Sequence, residues 1–224
     1  MNSPTALDSA PARRPHPGYA SGARVWLFRH GEVREDFQGL AYGGMDVPLS
    51  EQGTRDSQAL AERFRGARFS AVLSSNLQRA RQLGALLASA THAPLESFAA
   101  LAEIHRGTWQ GLPTAQLLAE REREVASFYA DPWNWREHGG ETDSDVVARA
   151  WPVLESGLKR HGGPLAIACH YNVVRNLIAH AIGIEATAAF RVRIDLTAFA
   201  VLHDGPRGWV LERCNVRSPR GALG

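Results

Sequence analysis

The chain has 224 residues, 44% apolar and 21% charged, a composition that suits one medium domain with a sizeable core. Its 25 basic residues, all arginine except Lys159, face 23 acidic ones, and the net charge of +2 excludes the basic surplus of a nucleic-acid or membrane-surface protein. Cys169 and Cys214 could pair once but make no disulfide framework, and no apolar run approaches the ~20 residues that span a bilayer, so a soluble, cytoplasmic protein is expected.

Residues 1–22 hold four of the twelve prolines and few large apolar groups, the composition of a disordered tail. The twin Arg13-Arg14 runs into Pro15-His16-Pro17-Gly18 with no long apolar core behind it, so an unexported protein is expected. One domain is expected over 23–217, with a short second tail at 218–224. Val25–Phe28 predicts a strand that ends at Arg29-His30-Gly31-Glu32. Ser50 reads as the N-cap of a helix whose apolar face holds Leu60 and Phe64.

Ala71–Leu73 predicts a second buried strand, followed by Ser74-Ser75-Asn76 and a helix through Leu77, Ala80, Leu83 and Leu87. A weaker strand falls at Leu95–Phe98. Residues 113–160 read as mostly helical, interrupted around Asp131–Gly140, with Thr142 and Asp145 spaced as a capping box. Leu165–Ala168 is the next strand, running through Cys169-His170-Tyr171-Asn172 into a helix with Val174, Leu177, Ile178, Ala181 and Ile182 on one face. Thr197–Leu202 and Trp209–Arg213 then pair antiparallel at an edge.

Alternating elements of this kind predict an α/β fold: a three-layer arrangement with a mostly parallel central sheet, helices on both faces and an antiparallel edge strand. Ligands of such sheets gather beyond the carboxyl ends of the strands. Arg29-His30, the segment Ser74 to Arg79, and His170 each follow an apolar strand, so all three are expected on one rim. Two histidines and two arginines there suit a dianionic phosphoryl group, and neutral imidazole is a competent nucleophile towards it. A carboxylic acid must then protonate the leaving oxygen. The residues alone leave Glu32, Asp36, Glu103 and Glu141 all open for that role.

Phe28-Arg29-His30-Gly31-Glu32, followed by Tyr42-Gly43-Gly44-Met45-Asp46-Val47-Pro48-Leu49-Ser50, resembles the histidine phosphatase superfamily, which includes the cofactor-dependent phosphoglycerate mutases. Ser74 to Gln82 resembles that family's second arginine motif, and Glu103 to Gly111 its acid-bearing loop. Gly139-Gly140-Glu141-Thr142 and His170 to Arg175 match its later blocks. The five blocks fall in order between Arg24 and Val216. The resemblance implies that His30 is the nucleophile and Glu103 the proton donor, with Arg29, Arg79 and His170 around the phosphoryl oxygens. Asp36, Gly43, Tyr171 and Asn172 then complete the substrate pocket, and a helical insert lies over it.

The resemblance implies neither metal nor cofactor, and no two of the nine histidines stand two to five residues apart as a local ligand pair. The expected partner is a small phosphorylated substrate, and a homodimer is allowed for. The Tyr42–Leu49 stretch resembles the small-molecule phosphatases of the α-ribazole phosphatase type, which favours a hydrolase over a mutase or a non-catalytic ligand-binding relative.

Three positions depart from the family pattern. Tyr171 stands where a small residue is usual and Asp36 where many relatives carry Asn, while His105-Arg106 replaces an Asp-Phe pair. The aromatic group Phe128, Tyr129, Trp133 and Trp135 reads as packing for the insert or as a lid. Cys169 and Arg175 also have the Cys-x5-Arg spacing of cysteine phosphatases, though the loop between them lacks anion-cradling glycines.

Overall fold

A computed structural model describes residues 22–217; the expected tails, apart from Gly22, lie outside the described residues. The strands are β1 (Arg24–Arg29), β2 (Ala71–Ser75), β3 (Leu95–Phe98), β4 (Leu165–Cys169), β5 (Ala198–Gly205) and β6 (Gly208–Arg217). The helices are α1 (Glu51–Glu62), α2 (Gln78–Thr91), α3 (Thr114–Glu120), α4 (Glu122–Ala130), α5 (Asp143–His161), α6 (Tyr171–Ile182) and α7 (Ala186–Ala189). The four residues of α7 are too few to leave a period in the sequence, and that helix was not expected.

The six strands form one sheet in the order β3-β2-β4-β1-β5-β6. The first four are mutually parallel; β5 runs antiparallel to β1, and β6 antiparallel to β5. Strands β2 and β4 are buried along their whole length, as central strands covered on both faces must be. Along β1, Val25 and Leu27 point to one face, where α5 and α6 supply Val146, Leu154, Val174 and Leu177. Phe28 points to the other, against Leu60 of α1 and Leu83 and Leu87 of α2. The three-layer α/β arrangement is therefore the one the alternating pattern called for. No helix among the described residues is long and apolar enough to cross a membrane.

Two capping signals are realised as read. Ser50 Oγ accepts from the Gly53 N–H at 2.9 Å and donates to Glu32 Oε1, which ties α1 to the loop after β1. Thr142 and Asp145 form the reciprocal capping box that starts α5. Because β1, β2 and β4 are parallel, with Arg29 opposite Cys169 and Ser74 opposite Ala168, their carboxyl ends open on one rim.

Candidate active site

His30 follows β1 directly, and its own N–H donates to the Cys169 carbonyl at 3.2 Å, so the strand ends fix its backbone. Its ring Nδ1 lies 2.7 Å from the Gly31 carbonyl, which can only accept. Nδ1 therefore carries the proton, and Nε2 of the neutral ring presents a lone pair. Burial, with Arg79 and Arg29 adding to it, pushes the imidazole pKa well below its usual value, so the ring is neutral at pH 7. A Cβ on Gly31 would run into the Gly53 carbonyl and Ser57, so α1 packs directly on this loop only because residue 31 is glycine.

Arg79, in the first turn of α2, is fully buried and spent on three acceptors. Its Nε donates to His30 Nε2 at 3.3 Å, Nη1 to the Met45 carbonyl at 2.6 Å and Nη2 to the Gly43 carbonyl at 2.7 Å. The loop carrying those carbonyls is strapped to α2 by Asp46, whose carboxylate accepts from the Gln78 N–H. Tyr42 lies under the Arg79 guanidinium at 5.1 Å and is hydrogen-bonded to Arg29. Arg29 Nη1 in turn donates to the Ile194 carbonyl at 2.6 Å.

His170 follows β4 as His30 follows β1, and the two rings meet edge to face at 5.1 Å. Its Nε2 is 2.8 Å from Ser75 Oγ, which already accepts from the Leu77 N–H. The assignment that leaves no hydroxyl proton unpaired has Ser75 donate to Nε2. The proton of His170 then sits on Nδ1, a buried atom with no protein partner, and leaves that N–H free to donate. Burial and the neighbouring Arg79 lower its pKa well below the usual value too.

The structure separates the four open carboxylates. Glu32 is held by Ser50 in the α1 cap, Asp36 is exposed and paired with Arg34 at 2.7 Å, and Glu141 is gripped by Arg149. Glu103 alone is buried within the cluster. Its Oε1 accepts from the Ile104 N–H at 2.8 Å, and its Oε2 from the Asn172 N–H at 3.3 Å, two residues after His170.

This set of residues lies in a chain whose positions 25–217 match the model of the histidine phosphatase superfamily, branch 1. The chain belongs to that superfamily. It is 27% identical over 200 residues to the adenosylcobalamin/α-ribazole phosphatase of Escherichia coli K12, a match covering 87% of this chain and 97% of the relative. It is 32% identical over 131 residues, 58% of each chain, to the glucosyl-3-phosphoglycerate phosphatase of Mycobacterium tuberculosis. Among solved structures, the α-ribazole phosphatase of Shigella flexneri superposes with a TM-score of 0.75 at 26% identity, covering 87% of this chain and 97% of that one.

Within this histidine phosphatase the remaining expected pocket residues divide. Tyr171 packs its ring against Arg29, 5.3 Å from the guanidinium, and Asn172 bonds Glu103 through its backbone. Gly43 serves Arg79 through its carbonyl; a Cβ there would meet the Ile104 carbonyl at 2.5 Å, in a backbone at positive φ. Asp36 has no bond to the cluster. Cys169 is fully buried and free, burial pushes its thiol up, and Arg175 is paired with Asp143, so no thiolate nucleophile exists there. Cys214 is also free, so the one available disulfide does not form.

Phe128, Trp135 and His138 pack with Trp109 beside the site, where Phe128 also meets Arg106, and Trp133 joins the main core, whereas Tyr129 stays half exposed with its ring edge-on to Phe128 and Phe190. The sequence reading missed three supports: Tyr42 under Arg79, the Ile194 carbonyl on Arg29, and the buried Asp143–Arg175 pair. Tyr42 lay inside a motif already singled out. The other two carry no local signal.

Proposed function

We propose that the protein hydrolyses phosphomonoesters of small metabolites in two steps, with His30 as nucleophile and Glu103 as acid and then base. His30 Nε2 attacks phosphorus and the bond to the ester oxygen breaks, while Glu103 gives that oxygen its proton and the alcohol leaves. Water then attacks the phosphohistidine, Glu103 takes the water's proton, and the P–N electron pair returns to Nε2. Nδ1 keeps its proton on the Gly31 carbonyl throughout. Arg79, Arg29 and the free Nδ1–H of His170 offset the charge on the equatorial oxygens, and no step requires a metal.

The observation that carries this reading is the orientation of His30: a neutral ring with its lone pair held towards Arg79 by a bond behind it. The scarcity of cysteine and the near-neutral charge support a cytoplasmic enzyme acting on small molecules rather than on nucleic acid. A homodimer is compatible with this chemistry.

Replacing the nucleophile tests the proposal. His30→Ala lowers the rate on p-nitrophenyl phosphate by about 10⁴-fold or more. Acid quenching of the wild type with labelled substrate traps an acid-labile phosphoprotein that the variant does not form. Undiminished turnover by His30→Ala overturns the assignment.

A further inference from the structure

Arg29 is the last residue of β1, and its guanidinium is held by a segment far along the chain. Nη1 donates to the Ile194 carbonyl at 2.6 Å, and the buried Nε meets no protein partner. The other side of that carbonyl's peptide unit is held as well. The Asp195 N–H donates to Asn215 Oδ1 at 2.7 Å, and Asn215 Nδ2 donates back to Asp195 Oδ2 at 3.2 Å. A trans peptide is planar, with C=O and N–H pointing opposite ways, so one rigid plane joins Asn215 to Arg29. Each bond also strengthens the other, because a peptide whose N–H is donating has a more polarised carbonyl.

The edge strand is shaped for this contact. Between Phe199 and Val201 of β5 the register on β6 runs from Val216 to Arg213, so β6 carries an extra residue there. Asn215 lies in that bulge at a φ of 51°, a left-handed backbone that asparagine tolerates, and its amide reaches Asp195 outside the strand ladder. Arg193 at 2.8 Å and Arg217 at 3.5 Å neutralise the Asp195 carboxylate, so Asn215 meets it as a hydrogen-bond partner. The same segment reaches the nucleophile. The Thr197 N–H donates to the His30 carbonyl at 3.2 Å, from a φ of 52° that a β-branched residue keeps only when its surroundings impose it.

We propose that Asn215 is a positioning residue for phosphoryl transfer: through the Ile194–Asp195 peptide it sets the plane of the Arg29 guanidinium and aims the Nε–H edge at a phosphoryl oxygen. This rests on the hydrolase reading above. Without the amide the peptide is free to rotate about its flanking bonds, and the acceptor that fixes Nη1 moves with it. Catalysis by a preset cation is lost by small misplacements, so a residue on the sheet edge controls the rate without touching substrate.

A double-mutant cycle on p-nitrophenyl phosphate tests this. Asn215→Gly removes the amide and leaves the left-handed backbone unstrained. It lowers kcat/KM about tenfold in the wild-type background and less than about twofold in Arg29→Ala, where no guanidinium is left to aim. A residue that only supported the fold would cost the same in both backgrounds, and that result overturns the proposal. An Asn215→Gly enzyme with undiminished kcat/KM overturns it too. Asn215→Asp covers the case in which Asn215→Gly does not fold, since it keeps the acceptor but sets a second carboxylate oxygen against Asp195. Its kcat/KM drops by a similar factor, and adding Asp195→Asn restores it, because the exchanged pair can make both bonds again; no recovery counts against the bridge. Calorimetric Kd values for inorganic phosphate on the same proteins follow the same cycle without turnover. A wild type that releases no phosphate from p-nitrophenyl phosphate would instead indict the hydrolase reading, and the phosphate Kd cycle would still decide whether Asn215 acts through Arg29.

Discussion

At the end proposed to hold the phosphoryl group, His30, His170 and Arg79 come one, one and four residues after β1, β4 and β2, and main chain or a strand-end serine holds each of them. At the other end, proposed as the leaving-group end because Glu103 meets Asn172 there, Arg106, Asn172, Arg175 and Asp143 hold one another, and the rings that flank them come from α4 and the segment after α7. The first end is a set of parts that touch at His30 but are each anchored separately to the strand frame, and the second is a network whose members anchor one another. Substitutions at the first end should therefore act on chemistry, and those at the second on stability and on the choice of substrate.

The largest effect after loss of the nucleophile is expected at Glu103, where the two ends meet. Glu103→Gln removes the proposed proton donor and keeps one backbone acceptor. On alkyl phosphates kcat falls about 10³-fold, while p-nitrophenyl phosphate, whose leaving group needs little help, forms phosphoenzyme readily and then stalls. Rapid-quench burst kinetics on the two substrates check this. An equal loss in the two bursts would mean that Glu103 acts through the frame and not as an acid.

Arg175→Met probes the network. Asp143 would be left fully buried and without its partner cation, a defect that costs about 3 kcal/mol or more. The urea midpoint should drop accordingly. Asp143→Leu combined with Arg175→Met should recover most of the loss, because a buried pair replaced by apolar groups leaves no unpaired charge. If the single variant unfolds no earlier than wild type, the leaving-group end is not a coupled network.

The same contrast explains what could be read from the sequence. Strand ends are local features: an apolar run followed by Arg29-His30 or by His170 announces both the strand and what it carries. Parallel pairing then brings those stretches together without further information. Glu103 could not be told from Glu32, Asp36 or Glu141 by residue type, because the distinction lies in partners 18, 2 and 8 residues away that bind the other three. Asp143 and Arg175 are 32 residues apart and meet only because α5 and α6 pack side by side, a relation that no spacing records. Among the described residues, the two largest fully buried side chains are Arg79 and Arg175. Both stand in motifs that the sequence displays, but among 24 arginines residue type alone does not mark them as withdrawn from solvent.

The smallest expected effect separates the ends by pH. His30 and His170 are buried and neutral, with pKa values well below the usual 6.5 because of burial and the cations beside them. In the unfolded chain both take up protons near pH 6.5, so between that pH and their native values the unfolded state binds more protons. Their contribution to stability is thus complete above pH 6.5 and is lost as pH falls below it, by about 1.4 kcal/mol per pH unit for each histidine. Unfolding free energies at pH 7.5 and 5.5 should differ more in wild type than in His30→Asn, and more in His30→Asn than in His30→Asn/His170→Asn. His138, whose pKa burial and Arg106 also lower, is common to all three proteins and cancels. For the same reason His30 stays unprotonated below pH 6.5 in the free enzyme, so kcat/KM should not fall off at the pH of an ordinary imidazole. Three parallel stability profiles would mean that the two rings take up protons in the native state as readily as in the unfolded chain, and the nucleophile would then lose its lone pair as pH falls to 5.5.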